Sequence, residues 1–214
     1  LSKPQRINPR WQRNPVVVAA PGPSLTSDVV EYIDTLPDEW RIVAVQDAYR
    51  LMPWADILYG CDAKWWHEHK GCMDFEGEKW ASHGAEKNGN ADDKIGVAFQ
   101  YGVNLVNGTS APGFSTETDL IHYGDNSGFQ AVNLAILHGA RYIVLVGFDM
   151  RHVDGKAHFF GDHPVNLFQR REYESFARQF DKAPAPDGVT IINATPNSGV
   201  RCYPLMDLDA AVDI

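Results

Sequence analysis

The stretch from Asn126 to Met150, NSGFQAVNLAILHGARYIVLVGFDM, restricts the fold more than any other part of the chain. It opens on a small polar turn, Asp125-Asn126-Ser127-Gly128. Apolar residues at Ala131, Leu134, Ala135 and Leu137 then have helical spacing, and Gly139 is a stop. Tyr142-Ile143-Val144-Leu145-Val146 is apolar throughout and predicts a strand buried on both faces, as in a parallel sheet. The strand runs into Gly147-Phe148-Asp149. Turn, helix, strand and acid in this order are the second half of a doubly wound α/β unit. Ligands of open α/β sheets bind outside the carboxyl ends of the strands, which makes Asp149 and the adjoining Met150 candidates. Asn126, Ser127 and Gly128 start a helix, where backbone N–H groups point at an anion.

A second anchor is Asn14–Leu25, NPVVVAAPGPSL. Val16–Ala20 predicts a strand. Pro21-Gly22-Pro23-Ser24 is a tight turn at its carboxyl end, and a helix follows with Ser27 or Asp28 as cap and Val29, Val30 and Ile33 on it. Strand, glycine turn and helix form a phosphate cradle. Gly22 alone does not make the G-x-G-x-x-G pattern, which argues against a dinucleotide cofactor. Two prolines around Gly22 make the turn rigid and shaped.

Further strands are predicted at Arg41–Gln46, Ala55–Gly60 and Val189–Asn193. The first places Gln46 and Asp47 at the ligand edge. The second ends in Cys61-Asp62, where Asp62 either caps the helix or turn at Lys64 or contacts the ligand. Residues 67–123 are rich in glycine and predict an irregular insertion, with short strands at Ile95–Gln100 and Val103–Val106. A segment of that kind is expected to act as an acceptor-side flap or to be a surface excursion. Arg151–Pro164, RHVDGKAHFFGDHP, follows Asp149 directly and crowds Arg151, His152, Asp154, Lys156, His158, Asp162 and His163 into one loop. Arg151 and Lys156 are the candidates for stabilising a phosphate. Pro164 predicts the first turn of a helix running to Lys182. Asp207-Leu208-Asp209 follows no apolar strand, and its acids fit a helix start better than a metal motif. The expected architecture is one Rossmann-like three-layer α/β domain over residues 14–214, with a mostly parallel sheet and helices on both faces. Residues 1–13 form an arm that packs loosely or joins a neighbouring subunit, so a homo-oligomer is among the expectations.

Composition bounds the function. The chain has 214 residues, enough for one domain with a substantial core. Its formal net charge of −9 disfavours nucleic acid and anionic membrane surfaces as partners. No apolar run of about 18 residues occurs, so no transmembrane segment is expected. No signal peptide is visible, and the first residue, Leu1 in place of an initiator Met, suggests a trimmed chain or a fragment. Cys61, Cys72 and Cys202 are an odd set with no close pair. They read as reduced thiols and hence a cytoplasmic location. Cys61 and Cys72 with His67, His69 and His83 match no zinc spacing. Trp54, Trp65, Trp66 and Trp80 suggest a flat, aromatic-lined surface.

Gly22-Pro23-Ser24-Leu25, Ser127-Gly128 and Gly147-Phe148-Asp149, in this order and spacing, carry a resemblance. With His158–His163 and Thr195-Pro196-Asn197-Ser198 it extends over Val16 to Ser198. The layout resembles the bacterial sialyltransferases that use CMP-sialic acid, and also the archaeal-type 6-hydroxymethylpterin pyrophosphokinases. The first resemblance implies transfer of a sugar from a nucleotide sugar to a hydroxyl acceptor, with no metal or other cofactor required. A histidine in the loop after Gly-x-Asp would be the base. His163 is the closest match, although Asp162 interrupts the family's Gly-His and leaves His158 as the alternative. Gln46 or Asp47 would take the place of the small amide side chain that reads the nucleotide. The second resemblance implies pyrophosphoryl transfer from ATP to a pterin-like alcohol, with Mg²⁺ held by Asp47, Asp62 and Asp149. A third expectation is a nucleotide-binding module without catalysis.

Overall fold

The computed structural model describes residues 3–84, 93–161 and 173–214. In chain order its elements are β1 (Val16–Ala19), α1 (Ser27–Asp34), β2 (Arg41–Val45), a 3₁₀ turn (Gln46–Arg50), β3 (Ile57–Tyr59), α2 (Ala63–Glu68) and β4 (Glu78–His83). They continue with α3 (Lys94–Tyr101), β5 (Asn104–Thr109), β6 (Leu120–His122), α4 (Ser127–Leu137), β7 (Tyr142–Val146), α5 (Tyr173–Asp181), β8 (Thr190–Asn193) and α6 (Leu208–Val212). The strands form one sheet in the order β6-β5-β4-β3-β2-β1-β7-β8. Every pairing is parallel. The chain therefore folds as the expected α/β Rossmann-like domain. No helix among the described residues is long and apolar enough to cross a membrane.

Strand alternation divides the core into two layers. Val16 and Val18 face one, with Val43, Val45, Ile143 and Leu145 from the neighbouring strands. Val17 and Ala19 face the other, with Ile42, Ala44, Val144 and Val146. Such strands have no wet face, which is why they read as unbroken apolar runs. The second layer is covered by α1, α2, α3 and α6 through residues such as Ile33, Trp66, Val97 and Ala211. The first is covered by α4, by Phe180 of α5 and by the amino-terminal arm.

Every residue of α4 is buried, so its polar positions need internal partners. Tyr59 Oη donates to Gln130 Oε1 at 2.6 Å. Asn133 Oδ1 accepts from the Ser115 and His122 N–H groups at 3.0 and 2.9 Å. The helix touches β6, β2 and β1, which makes it the crossover that returns the chain from the sheet edge to its centre. After β6 the strand order reverses, and β7 is laid beside β1. The topological switch point thus lies between β1 and β7, and so does the crevice at their carboxyl ends.

Several expectations are corrected. Residues 67–123 are no irregular insertion: β4, β5 and β6 continue the sheet in parallel register. Ile95–Gln100 is helical within α3. Asp93 accepts from the Gly96 N–H at its start, and Gly102 closes it in the left-handed region with φ +67°. The arm does not lie loose. The N–H groups of Gln5 and Ile7 donate to the Leu105 and Thr118 carbonyls, and those of Arg10 and Trp11 both reach the His138 carbonyl. Ile7 and Trp11 are core residues, because one crossover helix cannot cover so wide a face alone. Trp65, Trp66 and Trp80 are buried and Trp54 alone of that group is exposed, so they form core and no flat surface. Thr26, one residue before the expected caps, accepts from the Val29 N–H at the start of α1. The helix expected from Pro164 is described from Tyr173 onward, and its start lies outside the described residues.

Candidate functional site

The crevice is built by two strand-end turns bonded to each other. The Ala20 N–H donates to the Val146 carbonyl at 2.9 Å and the Gly22 N–H to the Gly147 carbonyl at 3.0 Å. Gly147 has φ +72°, and a Cβ there would stand 2.0 Å from the Ala20 oxygen, so no other residue fits. A Cβ on Gly22 would stand 2.1 Å from Asp149 Oδ2 and 2.2 Å from the Gly147 oxygen. The missing side chain of Gly22 therefore makes room for Asp149. The expected opening for a phosphate at this atom is filled by the protein itself.

Asp149 is the centre of the arrangement, with only 2% of its surface exposed. Its Oδ2 accepts from the Ser24 hydroxyl at 2.7 Å and from the Ser24 N–H at 3.2 Å. Its Oδ1 is buried with no hydrogen-bond partner among the described residues. The backbone that carries it is fixed from the end of β8. The Phe148 N–H donates to Thr195 Oγ1 at 3.0 Å, Ser198 Oγ donates to the Phe148 carbonyl, and the Gly199 N–H donates to the Asp149 carbonyl at 2.8 Å. Thr195 and Ser198 were not among the candidate residues. Their place at the end of a predicted strand was the signal that could have named them.

The loop after Asp149 folds back over the turn of β1. Val153 and Lys156 exchange backbone hydrogen bonds, and the Phe159 N–H donates to the Pro21 carbonyl at 3.1 Å. His158 Nδ1 lies 3.2 Å from the same carbonyl. A carbonyl only accepts, so Nδ1 carries the hydrogen, and in the neutral ring the lone pair sits on Nε2. That is the tautomer a general base needs. Arg151 and Lys156 are exposed, with Arg151 Nε donating to the Asn197 carbonyl at 2.8 Å. Met150 follows Asp149 in the left-handed region, with φ +47°. His163 and Asp162 lie outside the described residues.

The start of α4 borders the same turn. A Cβ on Gly128 would stand 2.9 Å from the Phe148 ring, so the helix terminus packs directly beside Gly147-Phe148-Asp149. Asn126 Oδ1 accepts from the Phe129 N–H at 2.8 Å as the cap. Ser127 ties this terminus to β3: its hydroxyl accepts from the Cys61 N–H at 3.2 Å and donates to Cys61 Sγ at 2.9 Å. Burial, and then the neighbouring Asp62 carboxylate, push the Cys61 thiol far above its ordinary value, which favours the protonated form. Asp62 Oδ2 lies 3.3 Å from that sulfur, and at the N-cap of α2 its side chain makes no capping bond to the helix.

Gln46 and Asp47 open the 3₁₀ turn after β2. Gln46 has φ +45°. Asp47 Oδ2 accepts from Trp65 Nε1 at 2.9 Å, while its Oδ1 lies 3.1 Å from His69 Nε2 and 3.6 Å from Arg50 Nη1. His69 Nδ1 faces the Trp65 carbonyl at 2.9 Å. Both ring nitrogens thus meet acceptors. Burial works against the charge, but the bonds to Asp47 and to the Trp65 carbonyl prevail and raise the His69 pKa above 6.5. Asp47, Asp62 and Asp149 do not converge, and the described residues hold no group of three His, Cys, Asp or Glu side chains able to bind a metal. A cleft of about 660 Å³ lies at the opposite, amino end of the sheet, lined by Arg10, Arg41, Trp54 and Glu76 among others. In it Arg10 is ion-paired to Glu78 and Arg41 to Asp56, and it contains none of the strand-end chemistry.

Neither the models of known protein families nor the curated proteins match this chain.

Proposed function

We propose that this chain is a transferase that binds a nucleotide sugar across the β1/β7 switch point and passes the sugar to a hydroxyl acceptor, with His158 as the general base. The observation that carries the reading is the half-satisfied carboxylate of Asp149. Leaving a buried acceptor unpaired costs about 1–3 kcal/mol, and more when it is charged, so such a group calls for a functional explanation. A hydroxyl or amino group of the nucleotide would complete it. The start of α4, packed beside the same turn, suits the phosphate, whose charge is stabilised by the first N–H groups of a helix.

In the step, the acceptor hydroxyl gives its proton to Nε2 of His158. Its oxygen bonds to the anomeric carbon while the bond from that carbon to the phosphate oxygen breaks, and the electron pair leaves with the phosphate. Nothing in this step asks for a metal. His158 is preferred here because its hydrogen-bonded tautomer supports the role; His163, the closest match in the resemblance, lies outside the described residues.

Thermal shift with CMP, CMP-sialic acid and Mg-ATP tests the binding half. A nucleotide at a hundredfold its Kd stabilises the fold by about 2.7 kcal/mol. The expected result is a shift with the first two that disappears in Asp149→Asn. A shift with Mg-ATP alone would replace this reading by pyrophosphoryl transfer, and no shift with any nucleotide would reject it. For the chemical half, His158→Ala should lower turnover by about 10²–10⁴-fold with nucleotide affinity kept.

A further inference from the structure

We infer that the cleft at the amino end of the sheet is a second binding site and that it takes an uncharged oligosaccharide. The anchoring role given to it below rests on the reading of the chain as a sugar transferase, while its lining speaks for a saccharide by itself. The cleft measures about 660 Å³, within the range of about 300–1,000 Å³ usual for small-molecule sites. Four separate parts of the chain build it. Arg41 opens β2, Asp56 directly precedes β3, Glu78 opens β4, and Arg10 belongs to the amino-terminal arm. The N–H groups of Arg10 and Trp11 bind the His138 carbonyl, so the arm is held in place as one wall of the site.

Trp54 supplies the platform. Of the six tryptophans it alone is exposed, at 41%, while each of the other five is at most 6% exposed. An indole left out of the core and set in a cleft offers an apolar face of negative potential, on which the C–H groups of a pyranose ring stack. The polar groups around it are oriented in advance. Glu78 accepts from Arg10 Nη2 at 2.7 Å and, with its other oxygen, from Trp80 Nε1 at 2.9 Å. Asp56 accepts from Arg41 Nη1 at 3.3 Å and, with its other oxygen, from the Ile42 N–H at 2.7 Å. Each guanidinium commits one nitrogen to its pair and keeps further N–H groups. A guanidinium edge beside a carboxylate edge suits a hydroxyl, which accepts from the first and donates to the second. It suits no ion, because an anion meets the carboxylates and a cation meets the guanidinium groups. Glu76, exposed and without an ion pair among the described residues, adds a further acceptor. Groups fixed before binding lose little freedom on binding, which favours a ligand as well hydrated as a sugar. The crevice of the proposed reaction lies at the other end of the sheet, so a saccharide held here does not react. It anchors the far part of a long acceptor and raises the concentration of the acceptor's end at the crevice. β2, with five residues, spans only about 17 Å, a distance that a short glycan covers.

The experiment uses the full chain labelled with ¹⁵N. The indole N–H resonance of Trp54 is assigned by its loss in Trp54→Phe. Maltotriose, cellotriose and N-acetyllactosamine are titrated in turn, with sialyllactose and trilysine as charged controls. The expected result is a saturable displacement of the Trp54 resonance by at least one of the neutral saccharides and by neither control. Calorimetry with that saccharide should show affinity weakened about tenfold in Trp54→Ala and in Arg41→Ala. Trp54 is exposed, so its variant decides the matter even if Arg41→Ala does not fold. Three results overturn the inference: no displacement by any neutral saccharide, displacement by a charged control alone, or unchanged affinity in Trp54→Ala. A response to trilysine alone would make Trp54 and Glu76 a cation site instead. The thermal shift with CMP should be the same in Trp54→Ala as in the wild type, which keeps the two sites apart. Saccharide binding by a chain that binds no nucleotide would reject the transferase reading and leave the saccharide site standing.

Discussion

Acidification should destabilise this protein through one histidine, His138, and by an amount that can be worked out. The residue follows α4 and is 2% exposed. Its ring lies 4.6 Å from Trp11 and 5.7 Å from Trp80, centroid to centroid, and neither ring nitrogen has a hydrogen-bond partner among the described residues. Burial, and then the charge of Arg10, lower its pKa from 6.5 to about 4. The Glu78 carboxylate and the Asn8 backbone pull weakly the other way, the latter without hydrogen-bond geometry. The folded state therefore keeps the ring neutral while the unfolded chain takes up a proton below about pH 6.5. Stability is complete above that pH, falls as the pH drops and stops falling on this account near the folded value of about 4. At ~1.4 kcal/mol per pH unit, the loss across the window is about 3 kcal/mol. That is a large part of the ~5–15 kcal/mol that holds a domain together. Urea unfolding of the wild type and of His138→Phe, from about pH 7 down to about pH 4, isolates the effect, since other carboxylates titrate alike in both. The variant should gain about 3 kcal/mol relative to the wild type across that range. Parallel stability curves for the two proteins would refute the argument.

Two further predictions concern the candidate site and its surroundings. Gly22→Ala should cost about 1–3 kcal/mol in urea unfolding, because its methyl would strike Asp149 Oδ2 and the Gly147 carbonyl; undiminished stability would mean that this turn yields easily. Asp47→Asn should remove the stabilisation of the His69 charge, whose pKa is raised in the fold. That contribution is complete below about pH 6.5 and vanishes as the pH rises through the raised value. The stability gap between wild type and Asp47→Asn should accordingly be larger at about pH 6 than at about pH 9. A gap that does not change with pH would show that the pair is not ionic.

The sequence revealed the central strands and concealed the outer ones for a physical reason. Val16–Ala19, Arg41–Val45 and Tyr142–Val146 are buried on both faces and leave an apolar record. Toward the edge, β4 reads EKWASH and β6 has only three residues, so neither carries an apolar period. In α3 the aromatic and β-branched residues suggested strands, although Asp93 and Gly102 at its two ends were sufficient to mark a helix. The strand-end turns at Gly22 and Asp149 were both legible as candidates, but their contact was not. Only the placing of β7 beside β1 makes Ser24 and Asp149 neighbours. Asp47 was read as a ligand group from its place at a strand end. The 3₁₀ turn that carries it has no pattern in five residues, and its partners Trp65 and His69 come from a later helix. For the arm, Ile7 and Trp11 stand alone among polar residues, and nothing local to them tells that a crossover helix leaves space for them.

The return of α4 from β6 to the middle of the sheet also governs how the chain must be made. Val16 has Arg41 on one side but Ile143 on the other. While the ribosome is still adding the segments between them, the most apolar strand presents one unpaired edge, the kind of surface on which other chains add. Synthesis of β2 through β6 widens the sheet only in the other direction and leaves that edge bare. The arm is in the same position: it precedes β1 in the chain, yet its anchors at Leu105, Thr118 and His138 arrive much later. Contacts so distant in sequence make folding slow. A nascent or truncated chain that ends before β7 therefore carries its greatest aggregation hazard at the centre of the future molecule, and the arm is among the last segments to find its place.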